Sequence, residues 1–188
     1  LKAVDLFEMG AEVSSYVGAR LVQIDSFTPP LTFRGVAPYK KAVKFDERYV
    51  VRAPAGFSWA RQWDALVDSV ARCRRIARSG GLTLLIEPRV GEIVSNTDAM
   101  LRLIAAVGSD HFGVVLDTGH LNGQKELLPL SVMKLGSAIK YVHASDNDSR
   151  TNAHRAIGDG TIDWDGLMLA LTRVHFSGYV GVDVGNVS

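Results

Sequence analysis

The sequence predicts an α/β fold in which parallel β-strands alternate with α-helices along the chain. Short aliphatic runs alternate with segments of helical periodicity, and several strands are apolar almost throughout, as expected for strands covered on both faces. Four of these strands end in a polar residue, and the intervals between those residues are 30, 26 and 40 positions. Each interval is long enough for one crossover helix, so the strands are expected to pair in parallel.

The amino-terminal third begins with a predicted helix and a predicted strand. Residues 1–17 carry apolar side chains at roughly helical spacing, and Gly18 ends that helix. The aliphatic run Arg20–Asp25 predicts the strand. Residues 28–57 hold four of the six prolines and show no clear period, which predicts a long insertion. Within it we expect a basic stretch at Tyr39–Lys44 and a small hairpin over Phe45–Val51.

The later elements follow in regular order. Ser58 is a suitable N-cap for a helix over 58–78, which Gly80 and Gly81 end. The run LTLLIEP at 82–88 predicts a strand buried on both faces. The same signals predict helices at 98–107, 127–135 and 164–174, and strands at 112–116, 139–142 and 178–184.

Composition and charge limit the class of protein. Of 188 residues, 47% are hydrophobic and 22% are charged, which suits one domain with a sizeable core. The 21 Lys and Arg balance 20 Asp and Glu, so the basic surface typical of a nucleic-acid-binding protein is not expected. No apolar run reaches the roughly 18 residues of a membrane helix. A single cysteine and an amino terminus without signal-peptide features favour the cytoplasm.

The residues that end four successive strands form the candidate site. They are Glu87, Asp117, His143 and Asp183. The carboxyl ends of all strands in a parallel barrel meet on one face, so these side chains are expected to converge. Converging carboxylates repel one another, whereas a divalent cation keeps them ionised, and this ligand set suits Mn, Mg, Co or Zn. Taken singly, each could instead be a helix cap or a turn former; Asp117 could cap the turn that follows it.

Five segments resemble a known family. They are LLIEP, GVVLDTGH, KYVHASDND, HRAIGDGTIDW and GYVGVD. In this order and spacing they are similar to the sugar phosphate isomerase/epimerase superfamily of xylose isomerase-like TIM barrels. The resemblance covers nearly the whole chain and is strongest from Gly80 to Asp183. It implies a parallel (β/α) TIM-type barrel and a metal-dependent isomerase or epimerase, acting on a sugar, sugar phosphate or polyol by proton transfer next to a carbonyl.

The resemblance also implies roles for the strand-end residues. One divalent ion, Mn, Mg, Co or Zn, would be bound by Glu87, Asp117, His143 and Asp183, and Glu87 and Asp183 would exchange the substrate proton. His120 would contact the substrate or a second metal. The family usually has Glu where this chain has Asp183, whose side chain is one methylene shorter.

Three more residues are candidate substrate contacts. Asp146 would orient a ligand or cap its loop, and His154 would line the site or bond to loop backbone. Epimerases of the family place an arginine six residues after the metal-binding histidine. Here that position is Ser149 and Arg150 follows it, so Arg150 is the candidate for hydroxyl or phosphate recognition.

The resemblance further implies an incomplete barrel in residues 1–188. Leu21–Asp25 resembles the fourth strand of the family's barrel, so about five of eight strands are expected in this chain, and the amino-terminal strands are expected to be missing. Five strands cannot close an eight-stranded barrel, and open edges favour pairing with another chain. We therefore expect either a partial sequence, which the absence of an initiator Met at Leu1 also favours, or a homo-oligomer.

Other functions stay open at this point. The chain could be a barrel remnant that binds a ligand without turnover, or a dehydratase or lyase of the same family. The apurinic endonuclease branch binds three zinc ions, with a His at the end of the fourth strand and an Asp two residues before the last His. Here Gln23 and Asp25 end that strand and Asn152 precedes His154, which argues against a nuclease. We expect a small sugar or polyol as partner, and neither a nucleic acid nor a membrane.

Overall fold

The computed structural model describes residues 3–34 and 48–185 of the chain. Within them, five strands form one parallel sheet in the order β1-β4-β5-β6-β7, and β2 and β3 form a separate antiparallel pair. The strands are β1 (Leu21–Asp25), β2 (Thr32–Arg34), β3 (Val50–Arg52), β4 (Thr83–Glu87), β5 (Phe112–Asp117), β6 (Ile139–Ala144) and β7 (Tyr179–Val182). Apart from the separate β2–β3 pair, each strand lies beside the strand that precedes it in the sequence. This order gives a half-barrel and confirms the predicted incomplete TIM-type fold.

Helices cover the outer face of this half-barrel. They are α1 (Ala3–Tyr16), α2 (Trp59–Ser79), α3 (Thr97–Val107), α5 (Leu128–Leu135) and α6 (Trp164–Arg173), whereas the short helix α4 (Thr118–Gly123) follows the end of β5. Ser58 caps α2 as predicted, because its side chain accepts the N–H of Arg61. Buried side chains repeat along α2 at helical spacing, from Trp63 to Ala77, and pack on β4 and on the neighbouring helices.

Side-chain alternation in the strands separates the core from the candidate site. Leu84 and Ile86 of β4, Leu116 of β5 and Val142 of β6 belong to the hydrophobic core shared with the helices. Successive side chains of a strand point to opposite faces. The residue that follows each of Ile86, Leu116 and Val142 therefore points into the half-barrel, and these three residues are Glu87, Asp117 and His143.

The structure differs from the sequence prediction at two places. The helix α4 follows β5 directly, where we predicted only a glycine turn. Thr32–Arg34 is a strand where no strand was predicted, and it pairs with Val50–Arg52. The predicted basic stretch Tyr39–Lys44 and the first part of the hairpin predicted over 45–51 lie outside the described residues.

The two ends of the parallel sheet are open in the described part of the chain. The edge strands are β1 and β7, and β7 exposes apolar side chains on both faces, including Tyr179, Val180 and Val182. No helix within residues 3–34 and 48–185 combines the length and apolarity needed to cross a membrane.

Candidate metal centre

The strand register brings the predicted site residues to one mouth of the half-barrel. Asp117 pairs with His143 across β5 and β6, and Glu87 pairs with Asp25 across β4 and β1. Because the strands are parallel, these positions are all carboxyl ends. The shared register explains why residues far apart in the sequence meet here.

Glu87, Asp117 and His143 form a compact group. One ligand atom from each lies within 4.8 Å of the others, and both carboxylates are buried. His143 Nδ1 lies 2.9 Å from Glu87 Oε2 and 3.7 Å from Asp117 Oδ2. The buried atoms Asp117 Oδ2 and His143 Nδ1 have no hydrogen-bond partner among the described residues.

This group has the features of a divalent-cation site. A buried carboxylate oxygen and a buried ring nitrogen without partners are costly unless something else binds them. A cation between them supplies that partner, and two carboxylates with one imidazole suit Mn, Mg, Co or Zn. The residues present therefore fit a divalent ion.

Asp117 has the capping role that we considered, and its second oxygen faces the mouth of the half-barrel. Its Oδ1 accepts the backbone N–H of His120 at 2.6 Å and so caps α4, while Oδ2 faces His143 and His154. The cap fixes the orientation of the carboxylate, and the second oxygen is left for a ligand.

The carboxylates of the group differ in their pKa shifts. Burial, and then the charge of Glu87, raise the pKa of Asp117 to about 7. Burial alone would also raise the pKa of Glu87, but the close contact with His143, the charges of His120 and His143 and the hydrogen bond from Gln23 outweigh it and lower that pKa. The close contact with Glu87 and the charge of that carboxylate raise the pKa of His143. A proton and a cation therefore compete for the same group.

Two further histidines lie beside Asp117. One ligand atom from each of Asp117, His120 and His154 lies within 4.8 Å of the others. The rings of His120 and His154 meet edge to face, with centroids 4.9 Å apart. Burial lowers the pKa of His120 to about 4, and the charge of Glu87 offsets only part of this effect. Both histidines thus line the mouth, and His154 Nδ1 also lies 3.2 Å from the backbone oxygen of Asp183, the second role that we considered for it.

Asp183 reaches the same mouth but stands apart from the compact group. Its backbone N–H donates to Ala144 O, which places it just beyond β7. Its Oδ2 lies 3.2 Å from His154 Nδ1, and its side chain is 48% exposed. It belongs to neither of the two groups of potential ligands in the described residues. The structure thus places Asp183 next to His154 rather than next to Glu87 and Asp117.

Asp146 and Arg150 differ from the four residues at the mouth. The buried Asp146 carboxylate accepts N–H groups from Asn147, Gly158, Ile162 and the Trp164 ring. These four bonds hold the loop before α6, which is the capping role that we considered beside ligand binding. Arg150 is exposed, and within the described residues it makes no ion pair with the site.

Two residues near Glu87 were not predicted as site residues. Gln23 Nε2 donates to Glu87 Oε2 at 2.8 Å. Arg89 pairs with Asp25 through NH1, and its Nε lies 3.4 Å from His120 Nε2 and 3.7 Å from Glu87 Oε1. A sequence signal for Arg89 exists, because it follows the strand-end pair Glu87-Pro88 at the same mouth.

Two curated proteins are similar in sequence to part of this chain. L-ribulose 3-epimerase of Mesorhizobium japonicum is 31% identical over 120 residues, which are 62% of this chain and 38% of that protein. Inosose dehydratase of Clostridium beijerinckii is 23% identical over 141 residues, 65% of this chain and 47% of that protein. The chain thus spans about half the length, or less, of these curated relatives.

Solved structures share the fold at lower identity. A D-tagatose 3-epimerase-like protein superposes with a TM-score of 0.77 at 18% identity, over 98% of this chain and 62% of that one. The IOLI protein with a bound zinc atom gives a TM-score of 0.71 at 18% identity, over 96% of this chain and 59% of that one. The profile of the family described as xylose isomerase-like TIM barrel matches residues 1–187. With that match over almost its whole length, the chain belongs to the xylose isomerase-like TIM barrel family.

Proposed function

We propose that the protein is a metal-dependent isomerase or epimerase that moves a proton next to the carbonyl of a sugar, sugar phosphate or polyol. The observation that carries the proposal is the buried group Glu87, Asp117 and His143, with two buried ligand atoms that lack partners. The similarity to proteins named L-ribulose 3-epimerase and inosose dehydratase supports a sugar or polyol substrate.

Glu87, Asp117 and His143 are the proposed ligands of one divalent ion, Mn, Mg, Co or Zn. When bound there, the ion polarises a substrate carbonyl and stabilises negative charge on its oxygen. Zinc in the similar IOLI protein supports this assignment. Asp183 lies in neither group of potential ligand atoms in the described residues, so its proposed role as the fourth ligand requires a movement of its carboxylate.

The proton transfer is assigned to two carboxylates. Glu87 Oε2 is held by Gln23 and faces His143, while Oε1 faces His120 and Arg89, so the orientation of this carboxylate is fixed from both sides. Asp183 is the proposed second carboxylate, and its contact with His154 Nδ1 forms a carboxylate–imidazole pair that can take up and return a proton. His120 and His154 are the proposed substrate contacts.

Ion binding and deuterium exchange together test the proposal. The protein is depleted of metal and reloaded with Mn²⁺, Co²⁺ or Zn²⁺, and ketoses and inososes are then incubated with it in deuterated water. We expect one ion per chain and ion-dependent deuterium incorporation next to the carbonyl, lost in Glu87→Gln. Asp68→Asn, an exposed carboxylate on α2, is the matched control and retains both properties. Exchange that persists in Glu87→Gln, or a protein that binds no ion, contradicts the proposal.

Dehydration is the second candidate function. It begins with the same proton abstraction and ends with loss of a hydroxyl group, and the relatives named inosose dehydratase favour it. Product analysis separates the two reactions, because an epimer keeps the mass of the substrate and a dehydration product loses one water. An ion-loaded protein that exchanges no proton on any of these substrates supports the non-catalytic ligand-binding alternative.

A further inference from the structure

Thr118 connects the ends of the two strands that supply Asp117 and His143. Its hydroxyl donates to Ser145 O at 2.6 Å, accepts the Ser145 N–H at 2.9 Å and lies 3.2 Å from His143 O. Thr118 and Ser145 are both fully buried. The ladder between β5 and β6 ends at the pair of Asp117 and His143, so the Thr118 hydroxyl adds one more link just beyond the two proposed ligands.

The register between β5 and β6 depends on an irregularity. It shifts by one residue after the pair of Val114 and Ile139, where β6 contains one residue more than β5. Without this shift Asp117 would pair with the core residue Val142, and His143 would extend past the end of β5. Only three residue pairs of the ladder follow the shift, so contacts at the strand ends are needed to hold this register.

The spacing of the two side chains matters because an ion bonds its ligands over a narrow range of distances. Zinc binds imidazole nitrogen at about 2.0–2.1 Å and carboxylate oxygen at about 2.0–2.2 Å, and a competent site keeps these distances within about 0.2 Å. Two ligand atoms of a tetrahedral ion are then roughly 3.4 Å apart. His143 Nδ1 and Asp117 Oδ2 lie 3.7 Å apart, close to that separation.

We propose that Thr118 is a positioning residue whose hydroxyl sets the register and spacing of Asp117 and His143 for ion binding. Thr118 acts on the ion only through these two residues and is not a ligand. The part of the inference that concerns the ion rests on the proposed function, whereas the link between Thr118 and Ser145 is a property of the chain without an ion. Failure of one can therefore be distinguished from failure of the other.

Two substitutions separate the hydroxyl of Thr118 from its methyl group. Thr118→Val removes the hydroxyl, and Thr118→Ser keeps it but removes a buried methyl group. Calorimetry measures the Kd of Zn²⁺ or Co²⁺ at a temperature where every variant is folded, and urea unfolding measures stability without ion. We expect both variants to be less stable than the wild type. Thr118→Val should raise the Kd about 10- to 100-fold, whereas Thr118→Ser should keep it within about threefold of the wild-type value.

Thr97→Val is the matched control. Thr97 is also fully buried and also the first residue of a helix, α3. Its hydroxyl donates to Glu126 Oε2 at 2.5 Å and not to a strand of the site. We expect this variant to lose stability but to bind the ion with the wild-type Kd.

The pattern of affinity against stability decides the inference. A merely structural role predicts that affinity follows stability, so that Thr118→Ser and Thr118→Val both lose it. Weak ion binding in Thr118→Ser overturns the inference, and it does so even if Thr118→Val fails to fold. An unchanged Kd in a folded Thr118→Val overturns it as well.

Amide hydrogen exchange tests the link in the ion-free chain. The Ser145 N–H should exchange about tenfold faster in Thr118→Val than in the wild type, because it loses its acceptor, and Thr118→Ser should restore slow exchange. Equal exchange in all three proteins shows that Thr118 does not hold the strand ends. A wild-type chain that binds no ion overturns the proposed function and the ion-binding part of this inference, while exchange at Ser145 still decides the link.

Discussion

Asp117 and His120 are linked by a hydrogen bond that uses only one of the two oxygens of the Asp117 carboxylate. The N–H of His120 occupies Oδ1 at 2.6 Å, and Oδ2 is left buried without a hydrogen-bond partner among the described residues. The same residue thus begins a helix and offers a ligand atom.

Asp117→Asn separates these two tasks. The amide oxygen can still cap α4, but the amide is a poor ligand for a cation. In the wild type, an ion at 100 times its Kd adds about 2.7 kcal/mol, which corresponds to a rise in Tm of roughly 5–10 °C. We expect this rise to vanish in Asp117→Asn. The melting temperature without ion should not fall, because the variant removes a buried charge next to Glu87.

Thermal melts with and without Zn²⁺ or Mn²⁺ at pH 8 measure both quantities. Asp68→Asn serves again as the control and should retain the full ion-dependent rise. An undiminished rise in Asp117→Asn contradicts the assignment of this carboxylate as a ligand.

Asp146→Ala is expected to destabilise the fold. It removes the acceptor of three backbone N–H groups and of Trp164 Nε1 and leaves these donors without a partner, three of them in or next to the loop before α6. The expected cost is about 3–5 kcal/mol, measured by urea unfolding. Trp164→Phe removes only one of the four bonds and should cost about 1–2 kcal/mol. Equal losses of unfolding free energy in the two variants would show that the other three hydrogen bonds of Asp146 do not stabilise the protein.

Gly119→Ala tests how closely α4 packs against the site. A Cβ at this position would lie 2.6 Å from Ser145 Oγ and 3.3 Å from Asp117 Oδ1, so the neighbouring chain must shift. We expect a loss of about 1–3 kcal/mol together with weaker ion binding. Gly10→Ala in α1 meets nothing within 4 Å and should instead stabilise by about 0.5–1 kcal/mol. Calorimetry of both variants distinguishes crowding from helix propensity.

The lowered pKa of Asp148 predicts that the free energy of unfolding depends on pH. Burial would raise its pKa, but the N–H groups of Arg150 and Thr151 and the Arg155 guanidinium outweigh burial and lower the pKa from 3.8 to about 2. A pKa lower in the folded state means that the contribution is fully present above pH 4. It is lost as the pH falls from about 4 to 2. Asp148→Asn should therefore lose less stability than the wild type over this range, as measured by urea unfolding. The prediction is contradicted if the free energy of unfolding falls with pH by the same amount in the wild type and in Asp148→Asn.

Much of the fold and of the site follows from local sequence patterns. The apolar runs of β4, β5 and β6 end at Glu87, Asp117 and His143, and strand alternation then sends these three side chains to one face. The parallel pairing of the strands could be predicted from their alternation with helices, whereas the incomplete barrel was predicted from the resemblance to the family. The helix α4 could not, because TGHLNG contains two glycines and no helical apolar period.

The remaining parts of the site depend on long-range pairing. The contact of Arg89 with Asp25 exists because β1 pairs with β4 in a particular register, across 64 positions. The resemblance predicted Asp183 as a ligand. Asp183 lies beyond the edge strand β7, and the sequence does not show that its Oδ2 lies 3.2 Å from His154 Nδ1. Asp146 could be interpreted either way from the sequence, and only the position of the loop before α6 shows its four donors.

The residues of the candidate site lie in two kinds of segment. Glu87, Asp117 and His143 lie within three interior strands, whereas His154 and Asp183 lie in connecting segments beside the exposed edge strand β7. Segments with few buried apolar contacts open at lower free energy than the centre of a sheet. Under the proposed function, warming is therefore expected to abolish turnover before the ion is released, and cooling from that intermediate state should restore turnover without further addition of metal.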